Sequence, residues 1–156
     1  MPPFHISRRA LTVALSACLV AIPALAQDRG TKAEAQAMVE AALAHLKKVG
    51  NEQALKDFTS DKANWTKKDL YVFLADLEGK MLAHGANDKL VGRNLSNLKD
   101  STGKAFVQEM ISVAKKGSGW VDYEWADPLT KKVEGKTSFI KAVPGTDTFV
   151  AVGIYR

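Results

Sequence analysis

DLYVFLADLEGKMLAHG, residues 69–85, is the stretch on which the fold turns. Its first half, Leu70-Tyr71-Val72-Phe73-Leu74, is aromatic and β-branched and too short for a typical helix, so it predicts a strand. Asp76-Leu77-Glu78-Gly79 supplies turn chemistry. Residues 80–84 then return as a second strand, and the pair makes an antiparallel hairpin.

Helical patterns flank that hairpin. Upstream, Thr31 with Glu34 three residues later is a capping-box pattern. Met38, Ala42, Leu46 and Val49 then recur at helical spacing until Gly50-Asn51 breaks the run. A short helix over residues 52–58 carries Leu55 and Phe58, and residues 60–68 are a polar connector holding Trp65. Downstream, residues 87–99 read as an irregular loop. Asp100 or Ser101 can cap a helix with the stripe Phe106, Val107, Met110, Ile111 and Ala114.

Three further strands follow, over residues 120–125, 135–143 and 148–155, separated by Asp127-Pro128 and by Pro144-Gly145-Thr146-Asp147. Short hairpin turns give an antiparallel sheet, and helices segregated in sequence give α+β rather than alternating α/β. The expectation is a long N-terminal helix on a five-stranded antiparallel sheet.

The N-terminus predicts export. Arg8 and Arg9 precede an apolar, uncharged run over residues 10–22, and Ala24-Leu25-Ala26 closes it with small residues. That layout is a signal peptide over residues 1–26, cleaved after Ala26, with one domain over residues 27–156. The run to Ala26 is shorter than the roughly 20 residues of a spanning helix, the alternative being a retained anchor. Ser7-Arg8-Arg9 resembles a twin-arginine motif, although Thr12 is polar where that motif is apolar. Leu15-Ser16-Ala17-Cys18 resembles a lipobox, although residues 19–25 remain apolar. The expected location is periplasmic or secreted.

Cys18 is the sole cysteine of the 156 residues, so the mature domain has no disulfide, no thiolate metal site and no cysteine nucleophile. Removing Arg8 and Arg9 lowers the formal charge from +5 to about +3, with both signs interspersed. A solvated mixed-charge surface fits that pattern, and a nucleic-acid partner does not. No nucleophile elbow, zinc-binding helix, P-loop or dinucleotide fingerprint is present, so neither an enzyme nor a cofactor is expected. His45 has no histidine or carboxylate one helical turn on.

The strands carry the suggestive residues. Val121, Tyr123 and Trp125 share one face, and Trp120, Asp122 and Glu124 the other. Phe139 and Lys141 share a face of the next strand. If Tyr123, Trp125 and Lys141 point inward, they form an aromatic-walled cleft with one cation, suited to a small carboxylate. If they do not, the aromatics are core and Lys141 is solvated.

Asp69 to Gly85, with LVGRNL (90–95), GWVDYEW (119–125) and PGTDTFVAVGIYR (144–156), resembles the single Cache domain family in order and spacing. The resemblance implies an extracytoplasmic, PAS-like sensor domain: a long helix on a curved antiparallel sheet, with a pocket for small organic acids. It further implies pocket residues Tyr71 or Phe73, His84, Arg93, Trp120, Tyr123, Trp125 and Lys141. Strand alternation opposes Trp120 sharing a face with Tyr123. Asp88 follows Asn87 where the family commonly has proline, and Phe139 replaces a frequent tyrosine, removing a hydroxyl from the implied pocket. The expected partners are a small carboxylate and a membrane receptor or kinase, with a homodimer through the N-terminal helix. The competing expectation is an interaction subunit without a ligand, using the stripe Met38, Ala42, Leu46 and Val49.

Overall fold

Thr31 and Glu34 form the predicted reciprocal cap, Glu34 N–H donating to Thr31 Oγ1 at 3.2 Å and Thr31 N–H to Glu34 Oε2 at 2.9 Å. The computed structural model describes residues 28–156; the leader, the paired arginines and Cys18 lie outside them. Behind the cap runs α1 (Lys32–Val49), which buries Ala35, Val39, Ala42 and Leu46. Three elements follow without a long loop: α2 (Asn51–Ser60), the single turn α3 (Lys62–Trp65) and the two-residue strand β1 (Thr66–Lys67). His45 on α1 meets Asp57 on α2 at 2.7 Å and packs against Trp65, so its partner lies twelve residues on. The predicted polar connector is therefore largely structured.

The hairpin is β2 (Leu70–Asp76) and β3 (Met81–His84), paired with Phe73 opposite His84. A 3₁₀ turn (Asp88–Leu90) lies in the predicted loop, and α4 (Phe106–Lys115) follows. Neither Asp100 nor Ser101 caps α4, whose N-cap is Ala105 with no side-chain bond. Asp100 instead accepts from the N–H groups of Thr102, Lys104 and Glu124, tying its turn to the next strand. The meander is β4 (Ser118–Ala126), β5 (Val133–Ala142) and β6 (Thr148–Tyr155).

These strands form one antiparallel sheet in the order β1-β2-β6-β5-β4, with β3 also paired to β2. Five strands were expected; the sixth is β1. Both faces are covered, which is why β2 reads as a continuous apolar run rather than an alternating one. Leu70, Val72, Leu74, Val150 and Val152 pack under α1 and α2. Tyr71, Phe73, Ala75, Phe149, Ala151 and Tyr155 point the other way and pack under α4. Each fully buried aliphatic or aromatic side chain contributes about 1.5–3 kcal/mol. The sheet is thus a partition with two separate cores, and the N-terminal helix touches only one of them.

Candidate functional site

The α4 side of the partition holds the cavity. Tyr71 and Phe73 from β2, His84 ending β3, Tyr123 and Trp125 from β4, and Phe106 and Met110 from α4 line it. Alternation along each strand puts them there: odd-numbered residues of β2 and β4 face α4, the even ones face α1. The enclosed space is about 20 Å³, room for roughly one water. Any organic ligand must therefore displace side chains.

The register of β5 decides which cation reaches this face. Tyr123 stands opposite Lys136, and Trp120 opposite Phe139. Lys136, Ser138 and Ile140 accordingly face the cavity side, and Phe139 and Lys141 face α1. Lys136 is completely buried. Its Nζ donates to the Tyr71 hydroxyl at 2.6 Å and lies 4.0 Å from the centre of the Tyr71 ring and 4.9 Å from that of Tyr155. No carboxylate among the described residues pairs with it. Burial lowers its pKa to about 7, an effect that Asp69 and Asp127 at longer range only partly oppose.

The route from β5 to Tyr71 crosses β6, and it crosses at a glycine. A Cβ on Gly153 would come within 2.2 Å of Ser138 Oγ and 2.4 Å of Lys136 Cε. Lys136 therefore lies over a backbone that has no side chain there. Glycine inside a strand marks such a close approach, and that signal was available in VAVGIYR.

Hydroxyls extend the site. Tyr71 and Tyr155 hydroxyls are 3.3 Å apart, and Tyr155 donates to the Ala126 carbonyl at 2.7 Å. Tyr123 and Ser138 hydroxyls meet at 2.9 Å. Burial raises the pKa of Tyr71, Tyr123 and Tyr155, so all three remain neutral donors. His84 Nδ1 accepts from the N–H groups of Asn87 at 2.9 Å and Ala86 at 3.3 Å, which leaves the proton on Nε2. Burial, and then the nearby positive charge of Lys136 and Lys62, lowers the His84 pKa to about 3, so the ring is a neutral donor too. The arrangement offers one ammonium, several neutral donors and aromatic walls, a chemistry that suits a small anion with an apolar tail. Among the described residues no group of His, Cys, Asp and Glu is placed to hold a metal ion.

Of the residues picked from the sequence, Tyr71, His84, Tyr123 and Trp125 come together at this cavity, with Phe73 beside them. Three do not. Trp120 lies on the opposite face against Phe139, as alternation dictates, with its rings 5.3 Å away. Lys141 bonds Glu40 at 2.5 Å beside a surface groove under the end of α1. Arg93 is solvent-exposed, and only its backbone is engaged, its carbonyl accepting from Met81 N–H at 2.9 Å. Phe139 also faces α1, so a hydroxyl there would not reach the cavity. The residues missed were Lys136, Ser138, Tyr155 and Gly153.

The profile of the family described as Single Cache domain 2 matches residues 9–156. The sensor histidine kinase MctS of Rhizobium johnstonii is 32% identical over 88 residues, covering 56% of this chain and 19% of that protein. This chain thus spans under a fifth of that relative's length. A methyl-accepting chemotaxis protein from Vibrio parahaemolyticus superposes with a TM-score of 0.70 at 26% identity, covering 80% of this chain and 87% of that one. A structure described as the basis for carboxylic acid recognition by a Cache chemosensory domain gives a TM-score of 0.67 at 27% identity, over 79% and 91% of the two chains.

Proposed function

The chain belongs to the single Cache domain family, and from that membership we propose that it is an exported sensory binding domain for a short monocarboxylate, held without chemical change. One observation carries the reading: Lys136 is a fully buried cation, paired with no carboxylate among the described residues and set among aromatic rings and neutral hydroxyls. A carboxylate on Nζ supplies the missing counter-charge, with Tyr71 and the His84 Nε2–H as further donors. The aromatic walls take the carbon chain.

One cation and little space favour one charge on the ligand. A second carboxylate would be buried unpaired, at a cost of several kcal/mol. The neighbour described by carboxylic acid recognition supports the same ligand class. The kinase and chemotaxis relatives support a membrane signalling partner as the receiver of the bound state. Among the described residues no helix is long and apolar enough to cross a membrane.

The rival reading, an interaction subunit, relied on an apolar stripe of α1. Ala42 and Leu46 of that stripe are buried against the protein's own sheet. A homodimer through α1 would have to use the opposite face, with Ala37, Ala41 and Ala44.

A thermal-shift screen of the purified protein against monocarboxylates, dicarboxylates and amino acids tests the proposal. A short monocarboxylate at a hundred times its dissociation constant should add about 2.7 kcal/mol. A cooperative melt that no carboxylate moves would overturn it.

A further inference from the structure

His84 and Trp125 each line two spaces. On one side they line the cavity whose Tyr71 hydroxyl accepts from Lys136. On the other they line an open cleft of about 250 Å³, whose remaining walls are Ala86 and Asn87 on one bank and Ala126, Asp127, Pro128 and Lys131 on the other. The sheet, α4 and the segments at Gly79 and Leu95 line the cavity elsewhere, and His84 and Trp125 stand between it and the cleft.

The second bank is the β4–β5 turn, and it is built to move as a unit. Asp127 accepts from Leu129 N–H at 2.7 Å and donates its own N–H to the Lys132 carbonyl at 2.8 Å. Lys131 sits at φ 62, the left-handed region that a non-glycine side chain disfavours. What fixes the turn lies outside it. Arg29, just before α1, bonds Asp127 and reaches Glu134 at 3.3 Å. The same guanidinium reaches Asp69 at 3.5 Å. Asp69 is anchored to the sheet and to the segment before α1 by the N–H groups of Tyr155 and Gly30, at 3.3 and 2.6 Å. Arg29 thus joins a fixed carboxylate to one on the turn, and both carboxylates are buried.

We propose that the β4–β5 turn, with His84 and Trp125 behind it, is the gate through which the ligand exchanges with Lys136, and that Arg29 is its latch. The inference rests on the reading of the cavity as the ligand site. Arg29 acts as a positioning residue: it touches no ligand but sets how often the turn opens. Linkage then couples residues 28–30 to the cavity, because whatever draws them away from Asp127 also opens the route to Lys136.

Labelling of the Lys136 amine by cyanate, followed by peptide mass spectrometry, tests the gate with no ligand added. Lys136 is read as a ratio to the exposed Lys47 and Lys48. Arg29→Gln should raise that ratio roughly tenfold, the scale of losing one charged hydrogen bond. Should Arg29→Gln not fold, Glu134→Gln should give a smaller rise in the same direction. Ala86→Trp, which fills the cleft from the opposite bank, should lower the ratio. A ratio unmoved by the latch variants and by Ala86→Trp would overturn the gate. So would an equal rise in Val39→Ala, which loosens only the far core. Propionate should protect Lys136 in the parent protein. If it does not while Arg29→Gln still accelerates labelling, the ligand reading fails and the gate stands.

Discussion

Lys136 and Tyr71 meet at 2.6 Å although β6 runs between their strands. The contact closes over Gly153, so three strands cooperate to hold one ammonium. That ammonium is costly to the fold, since burial disfavours its charge and Asp69 and Asp127 offset this only in part, from longer range.

Lys136→Met should therefore separate stability from binding. The substitution keeps the unbranched shape and removes the buried charge. We expect the unfolding free energy to rise by about 1–3 kcal/mol and carboxylate binding to disappear. Denaturant titration and calorimetry measure the two. A variant that still binds would remove Lys136 from the site.

The same lysine sets a pH signature. Its pKa is about 7 in the fold against an ordinary 10.5. Between those values the unfolded chain binds more protons, so this group makes stability rise with pH, by up to about 1.4 kcal/mol per unit. Carboxylate affinity runs the other way, falling up to about tenfold per unit above pH 7 as the ammonium is lost. Above pH 10 the unfolded tyrosines ionise while Tyr71 and Tyr123 stay neutral, and stability falls again. Urea midpoints from pH 6 to 9 would show the rise in the parent protein and its absence in Lys136→Met. Parallel curves for the two would refute the assignment.

Gly153→Ala adds one methyl group where Lys136 and Ser138 already lie. The expected loss is about 1–3 kcal/mol, together with binding, although every donor is still present in the sequence. Full affinity in a folded Gly153→Ala would mean that Lys136 does not need this path.

Lys141→Ala should do little. Its pair with Glu40 is largely solvent-facing, so stability should change by less than about 1 kcal/mol and carboxylate affinity not at all. Isothermal titration settles the point, and a tenfold weaker affinity would restore Lys141 to the site.

The contrast between those two lysines shows what the sequence could tell. Element types followed from local patterns, as with the Thr31–Glu34 cap and the Asp76–Gly79 turn. Tyr123 and Trp125 were legible as aromatics sharing one strand face, and Tyr71 and His84 through the family resemblance; the structure brings all four to one cavity. The cation was not. Lys136 and Lys141 have opposite parity on β5, and nothing within that strand says which face meets Tyr123. The answer lies in the pairing of Trp120 with Phe139, a non-local fact. A lysine near the start of a strand also reads as solvated, and only the glycine across from Ser138 hints otherwise. Arg29 was out of reach for the same reason, its partner Asp127 being 98 positions away.

The place of β6 also governs how this protein comes into being. It is the last strand in chain order, yet it stands between β2 and β5. While residues 148–155 are still being synthesised, the β2–β3 hairpin and the β4–β5 pair have no strand between them and the sheet cannot join. The domain is therefore kept from reaching its native structure until residues 148–155 have been made. Such a delay leaves the polypeptide open until its last strand is available to join the two halves of the sheet.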